Sequence, residues 1–254
     1  MKIIPLFSGS NGNCTLIKSE NASVLIDAGV SVPKILSALK MRGESFESLS
    51  AIVLTHSHQD HVKGVQRLVF QKPQMKVYGC ADVEKFALCT GFETIKAGES
   101  FDVLDINIKS FAVPHDVPCL GFTFENESGK VGYATDIGEV TSQTISHLVG
   151  SETVMIESNY DDTLLAKGDY PIYLKRRISS VHGHLANAQA KEAVLTLLNH
   201  GTKNFILAHL SAQNNTPEMA YKETQNHLKA NGANLFSDYT LHVAKRFGIE
   251  EEIT

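Results

Sequence analysis

The sequence predicts an α/β protein built in four layers, two sheets face to face with helices on both outer sides. Three observations carry that expectation. Short apolar runs separated by turn residues dominate the start of the chain. Stretches with helical spacing fall between later runs, and the whole pattern then repeats loosely in the second half. Strands that alternate with helices must bury one sheet face against another sheet and one against helices, which gives this layering.

The elements follow in order. Ile3–Phe7, Cys14–Lys18 and Ser23–Ile26 read as strands between turns, and Val32–Met41 as a helix. The buried strand Ala51–Leu54 runs straight into Thr55-His56. A helix over Val62–Phe70, a strand over Lys76–Gly79 and a helix over Asp82–Cys89 come next, and alternation returns through Asp105–Ala112, Leu120–Glu125 and Lys130–Ala134. The second half reads as strand Thr153–Glu157, helices near Tyr170–Ile178 and Asn187–Asn199, and strand Asn204–Ala208. Helix Pro217–Ala230 and a last strand near Leu241–Ala244 complete it. No linker-like tract breaks the chain, so residues 1–254 are expected to form one domain.

Composition narrows the class. With 43% hydrophobic and 20% charged residues the chain is an ordinary globular one, not a disordered one. No apolar run reaches the roughly 18–20 residues of a membrane span, and Met1–Phe7 reads as a first strand, not a signal peptide. No membrane is therefore expected as a partner, and the expected location is the cytoplasm. Cys14, Cys80, Cys89 and Cys119 show no CxxC pairing and read as reduced, packed thiols. A net charge of −5 excludes a protein that coats nucleic acid non-specifically. It leaves room for an enzyme that grips a short stretch through a local basic patch and its own metal ions.

The chemistry concentrates in His56-Ser57-His58-Gln59-Asp60-His61. Alternate residues of an extended loop point the same way, so His56 and His58 can converge on one cation. Asp60 and His61 fall where the chain turns into a helix and can face a second cation beside it. Imidazole nitrogens and carboxylate oxygens suit Zn²⁺, Mn²⁺ or Fe²⁺. Three histidines and an aspartate in six residues, directly after a buried strand, are not the composition of an ordinary polar loop.

This HxHxDH run resembles the signature of the metallo-β-lactamase superfamily, and four more motifs of that family follow in order. Leu25-Ile26-Asp27-Ala28-Gly29 is similar to the first, His115 to the third, Gly132–Asp136 to the fourth and Phe205–His209 to the fifth. The resemblance implies the αββα fold of that family and a binuclear centre. One metal would take His56, His58, His115 and Asp136, and the other Asp60, His61, Asp136 and His209. It also implies that Asp27 buttresses the metal loop through hydrogen bonds without touching a metal. Two cations about 3.5–4 Å apart can hold a bridging water and lower its pKa toward neutrality. The resulting hydroxide is the expected nucleophile, with Asp60 orienting it or taking its proton.

Superfamily members cleave lactams, thioesters, lactones and phosphodiesters, so other stretches must choose the substrate. Asp at the fourth motif argues against the lactamases. Asp136 and His209 are too close in sequence for the large inserted domain of one nucleic-acid-processing branch. Ser8–Cys14, with the pattern SGSxGN, resembles a bacterial single-domain subgroup, the YycJ/WalJ type, which consists of DNA exonucleases. Glu157-Ser158-Asn159-Tyr160-Asp161 and Val181-His182-Gly183-His184-Leu185-Ala186-Asn187 are similar to two further segments of that subgroup, with Ala186 standing where it usually has Ser. The resemblance implies a phosphodiesterase, a DNA exonuclease, with DNA as its partner. The expected substrate contacts are Ser10, Asn11, Gly12, Asn13, Arg177, His182 and Asn187, with Asn187 also a possible N-cap. His184 is expected to donate to a phosphate or leaving oxygen, and Glu157 is a possible supporting partner. Two alternatives stay open, a hydrolase of small cyclic phosphodiesters and a non-catalytic regulatory module. An intact ligand set argues against the second.

Overall fold

The computed structural model describes residues 1–88 and 91–246. Cys89 and the expected end of the helix before it lie outside the described residues.

The first sheet has the order β1 (Lys2–Phe7), β2 (Cys14–Lys18), β3 (Ser23–Ile26), β4 (Ala51–Val53), β5 (Lys76–Gly79) and β6 (Phe92–Thr94). The second runs from β7 (Ser100–Val103) through β8 (Ile106–Val113), β9 (Cys119–Asn126), β10 (Gly129–Ala134), β11 (Thr153–Glu157) and β12 (Asn204–Ala208) to β13 (Thr240–Val243). Each sheet begins as an antiparallel meander, β1–β3 or β7–β10, and continues with parallel neighbours. The loose repeat in the sequence is this shared plan.

Side chains alternate across each strand and sort into three packed layers. Ile4, Leu16, Leu25 and Ile52 face α1 (Val32–Met41) and the segment of α2 (Gln59–Val62) and α3 (Val65–Gln71), where they pack against Ile35, Leu39, Val65 and Leu68. Ile3, Ile17, Val24, Ile26 and Val53 face the other way and meet Ile108, Phe122, Phe124, Tyr133 and Ile206 between the sheets. Phe111, Val154, Ile156, Phe205 and Leu207 lie on the far side, under Ala190, Val194 and Leu197. This is the expected αββα order.

Three helical expectations need correction. The run Val62–Phe70 is two helices, α2 (Gln59–Val62) and α3 (Val65–Gln71). They part at Gly64, whose N–H donates to Ala28 O at 2.7 Å and where a Cβ would stand 2.6 Å from Val30 O. In place of one helix over Asp82–Cys89, the described residues form a 3₁₀ turn (Ala81–Val83) followed by α4 (Glu84–Ala87). Two short helices escaped notice, α5 (Ser142–Leu148) and α6 (Asp162–Lys167), each capped by a side chain, Thr141 or Asp161. The helix near Tyr170 begins two residues later, as α7 (Ile172–Ile178). α8 (Asn187–Asn199) and α9 (Pro217–Ala230) fall as read. Among the described residues Cys14, Cys80 and Cys119 are free thiols, and no helix is long and apolar enough to cross a membrane.

The N-cap of α8 is Ala186, not Asn187. Gln189 reaches back to accept from the Ala186 N–H at 3.0 Å, which is half of a capping box. Ala186→Ser supplies the missing hydroxyl. It should stabilise the protein by about 1 kcal/mol and raise the thermal midpoint by roughly 2–4 °C. An unchanged or lowered midpoint in a calorimetric scan contradicts this.

Candidate metal centre

Every candidate ligand stands at or just beyond the carboxyl end of a strand, where the rigid sheet stops and the chain is free to present side chains. Asp27 follows β3, the His56–His61 loop follows β4, His115 follows β8, Asp136 follows β10, and His209 follows β12. Asp27, Asp136 and His209 hold left-handed φ values of 60°, 58° and 55°. Non-glycine residues adopt this region at a cost, and it clusters where function demands a particular side-chain direction.

The loop is seated by close backbone approach. Ala28 N–H donates to His61 O and Asn13 N–H to Asp60 O, both at 2.8 Å. Gly29 allows this, since a Cβ there would lie 1.6 Å from Asp60 O. Beneath the loop, the fully buried Asp27 carboxylate accepts from Thr55 N–H at 2.9 Å, from Thr55 Oγ1 and from His61 Nδ1 at 2.7 Å. Asp27→Ala would strand these buried donors. It should cost about 3–5 kcal/mol of stability, read as a lower urea midpoint. A loss below about 1 kcal/mol would show that Asp27 does not hold the loop.

The outer nitrogens of the histidines are occupied by protein. His56 Nδ1 donates to Thr55 Oγ1 at 2.9 Å, His61 Nδ1 to Asp27, His115 Nδ1 to Gly183 O at 3.1 Å, and His209 Nδ1 to Glu157 Oε1 at 2.7 Å. Each bond fixes the ring and turns its other nitrogen inward. His58 is reversed. Its Nδ1 faces His115 Nε2 at 3.4 Å while its Nε2 lies 3.2 Å from Asp116 Oδ1.

The inward atoms form three sets that could each hold a cation, His56–His58–His115, His56–His61–Asp136 and Asp60–His61–His209. Among them His56 Nε2, His209 Nε2 and Asp136 Oδ2 are buried with no hydrogen-bond partner. Buried polar atoms are almost always satisfied, and two imidazole lone pairs beside a carboxylate oxygen are the donor set of a divalent cation. The residues present therefore fit a metal centre.

Charge points the same way. Burial alone would lower the His61 pKa, but Asp136 and Asp27 outweigh it and lift the ring to about 10. Burial would raise the Asp60 and Asp136 carboxyls, yet the surrounding histidines hold both well below the usual range. His56, deeply buried and next to His61, is pushed well below its ordinary value.

A fourth cluster joins Asp136, Glu157, His184 and His209. Glu157, buried at the end of β11, accepts from both His184 Nδ1 at 2.9 Å and His209 Nδ1 at 2.7 Å through Oε1. Its Oε2 accepts from Ile137 N–H and Leu185 N–H. Because both imidazole Nδ1 atoms are spent on Glu157, this cluster is the hydrogen-bonded back of the site. The His184 ring stands 5.5 Å from His115 and 5.2 Å from His209, and its side chain is partly exposed.

The expected substrate residues scatter. In the turn before β2, Gly12 N–H closes onto Gly9 O at 2.9 Å and Asn13 N–H is spent on Asp60, so these amides are not free for phosphate. Gly12 serves the turn itself, at φ 142° and with a Cβ position 2.3 Å from Val30. Asn13 points into the site instead, with Nδ2 2.9 Å from His61 Nε2, while Ser10 and Asn11 are exposed. Asn187 is a correction: its amide is buried and bonded to Ser158 Oγ and to Asn215, away from any substrate. The Arg177 guanidinium is engaged by Asp116 through Nε at 2.9 Å and through Nη2. His182 is exposed. Asp116 was overlooked in the sequence, although it directly follows His115 and touches two candidate ligands.

Comparison with known proteins agrees with this arrangement. The family described as beta-lactamase superfamily domain matches residues 22–210. Exodeoxyribonuclease YycJ of Bacillus anthracis is 31% identical over 246 residues, covering 93% of this chain and 92% of its own. Exodeoxyribonuclease WalJ of Streptococcus pneumoniae is 33% identical over 233 residues, covering 88% and 86%. The metallo-beta-lactamase fold protein YhfI of Bacillus subtilis superposes with a TM-score of 0.75 at 20% identity, covering 98% of this chain and 99% of its own.

Proposed function

The chain belongs to the metallo-β-lactamase superfamily and is a hydrolase, and we propose that it is a binuclear metal-dependent phosphodiesterase that degrades DNA from an end. The observation that carries this reading is the set of buried, unpartnered atoms His56 Nε2, His209 Nε2 and Asp136 Oδ2, converging from three strand ends. Likeness to the exodeoxyribonucleases over nearly the whole chain supports DNA as the substrate.

In this reading His56, His58 and His115 would hold one divalent cation and Asp60, His61 and His209 a second, with Asp136 as a shared ligand. Zinc, manganese or iron bound there would supply an activated water and neutralise charge on the phosphate. The chain's residues do the rest. Asp60, at the mouth of the cluster, orients the attacking water. Glu157 holds the His184 and His209 rings in fixed orientation through its shared Oε1. With Nδ1 bound to that carboxylate, Nε2 is the ring atom His184 has left to hydrogen-bond a phosphate or leaving oxygen.

End-labelled single- and double-stranded DNA, incubated with Mn²⁺, Zn²⁺ or Fe²⁺ and with chelator in parallel, tests this. Release of mononucleotides with metal and none with chelator is expected. Hydrolysis of a cyclic nucleotide with DNA left intact would replace the reading with that of a small-molecule phosphodiesterase.

A further inference from the structure

A cleft of about 720 Å³ opens beside the metal cluster, between the ends of β5 and β6 and the ends of β8 and β9. Its size is within the roughly 300–1,000 Å³ of sites that enclose a small molecule. Cys80, Ile95, Ala112, Pro114, Pro118 and Leu120 give it apolar walls. His115 and Asp116 line it, so the cleft reaches one candidate ligand and the carboxylate beside it. Lys96 and His182 also line it, and both are exposed, as a rim contact to phosphate requires.

We propose that this cleft receives the base of the terminal nucleotide while its phosphodiester lies on the metal cluster. The inference rests on the DNA reading above and adds to it where the terminal residue sits. An apolar slot opening onto a phosphate-binding centre fits a flat, weakly hydrated group tethered to a phosphate. Lys96 and His182 match the anionic chain leaving the slot. The apolar walls named above contact the faces of a base but do not read its edges. The four bases should therefore be released at similar rates, since strong discrimination needs buried polar partners.

The test compares DNA oligonucleotides carrying either normal or abasic residues at both termini. The metal-loaded wild-type protein should release the normal terminal residue at least about tenfold faster, in kcat/KM, than the abasic one. Ala112→Phe places a ring in the cleft from an exposed position away from every candidate ligand. It should slow release of the normal residue by about tenfold and leave the abasic one unchanged. Ala97→Phe, on the opposite wall, should act in the same way and decides the matter if the first variant does not fold. Equal release of both substrates by the wild type overturns the proposal, as do fillings that slow both equally. A wild type that acts on neither oligonucleotide overturns the DNA reading itself, and this inference with it. Activity without discrimination removes only the base-binding cleft.

Discussion

Asp60→Ala should leave a folded protein that binds fewer metal ions and turns over DNA at least about a thousandfold more slowly. The fold should survive because Asp60 supports it through its backbone, whose carbonyl accepts the Asn13 N–H. Its carboxylate is partly exposed and directed at the cluster, with Oδ2 3.5 Å from His61 Nε2 and 3.6 Å from His209 Nε2. Removing it takes one anionic neighbour from each of two imidazoles and leaves the Asp60–His61–His209 set without its carboxylate. A bound cation contributes several kcal/mol of charge stabilisation to the transition state, and each 1.4 kcal/mol is tenfold in rate. Metal content measured by atomic emission, beside circular dichroism and turnover, separates the effects. Full metal content with full turnover would remove Asp60 from both roles.

His184→Ala should keep metal content and lose about 10²–10³ in turnover. Divalent cations face only part of the transition-state charge, and a preorganised donor aimed at the remaining oxygens is worth that much. His184 is placed for this by two features. Its Nδ1 is fixed by Glu157, and its ring lies near both His115 and His209 while belonging to none of the three inward ligand sets. Glu157 keeps its bond to His209 in the variant, so the ligand behind it should stay in place. The loss should appear in kcat more than in KM, because the donor acts as charge develops. Unchanged kcat would place His184 in a purely structural role.

The central elements were legible because their signals are local. Buried strands such as Asn204–Ala208 and Thr153–Glu157 are uninterrupted apolar runs, and parallel strands covered on both faces read that way. The His56–His61 loop announces itself by composition. Other features were hidden for equally physical reasons. Glu157 was read only as a possible supporting partner, because it ends a strand as many glutamates do and only the fold brings His184 and His209 to it. Asp116 stood in the shadow of His115, and its partners His58 and Arg177 come from distant segments. Asn187 has the composition of a cap, but the start of α8 is set one residue earlier by the Gln189 contact, which turns the Asn187 amide into the core. The break at Gly64 depends on the carbonyls of Ala28 and Val30, which no helical periodicity reveals. The left-handed conformations of Asp27, Asp136 and His209 are likewise set by tertiary context.

The most direct test of the central claim is a titration of metal-depleted protein with Mn²⁺, following turnover of an end-labelled oligonucleotide against equivalents of metal bound. Two cations acting together predict that activity rises to a plateau at two equivalents and vanishes on chelation. Full activity at one equivalent, or activity that persists in chelator, would contradict it.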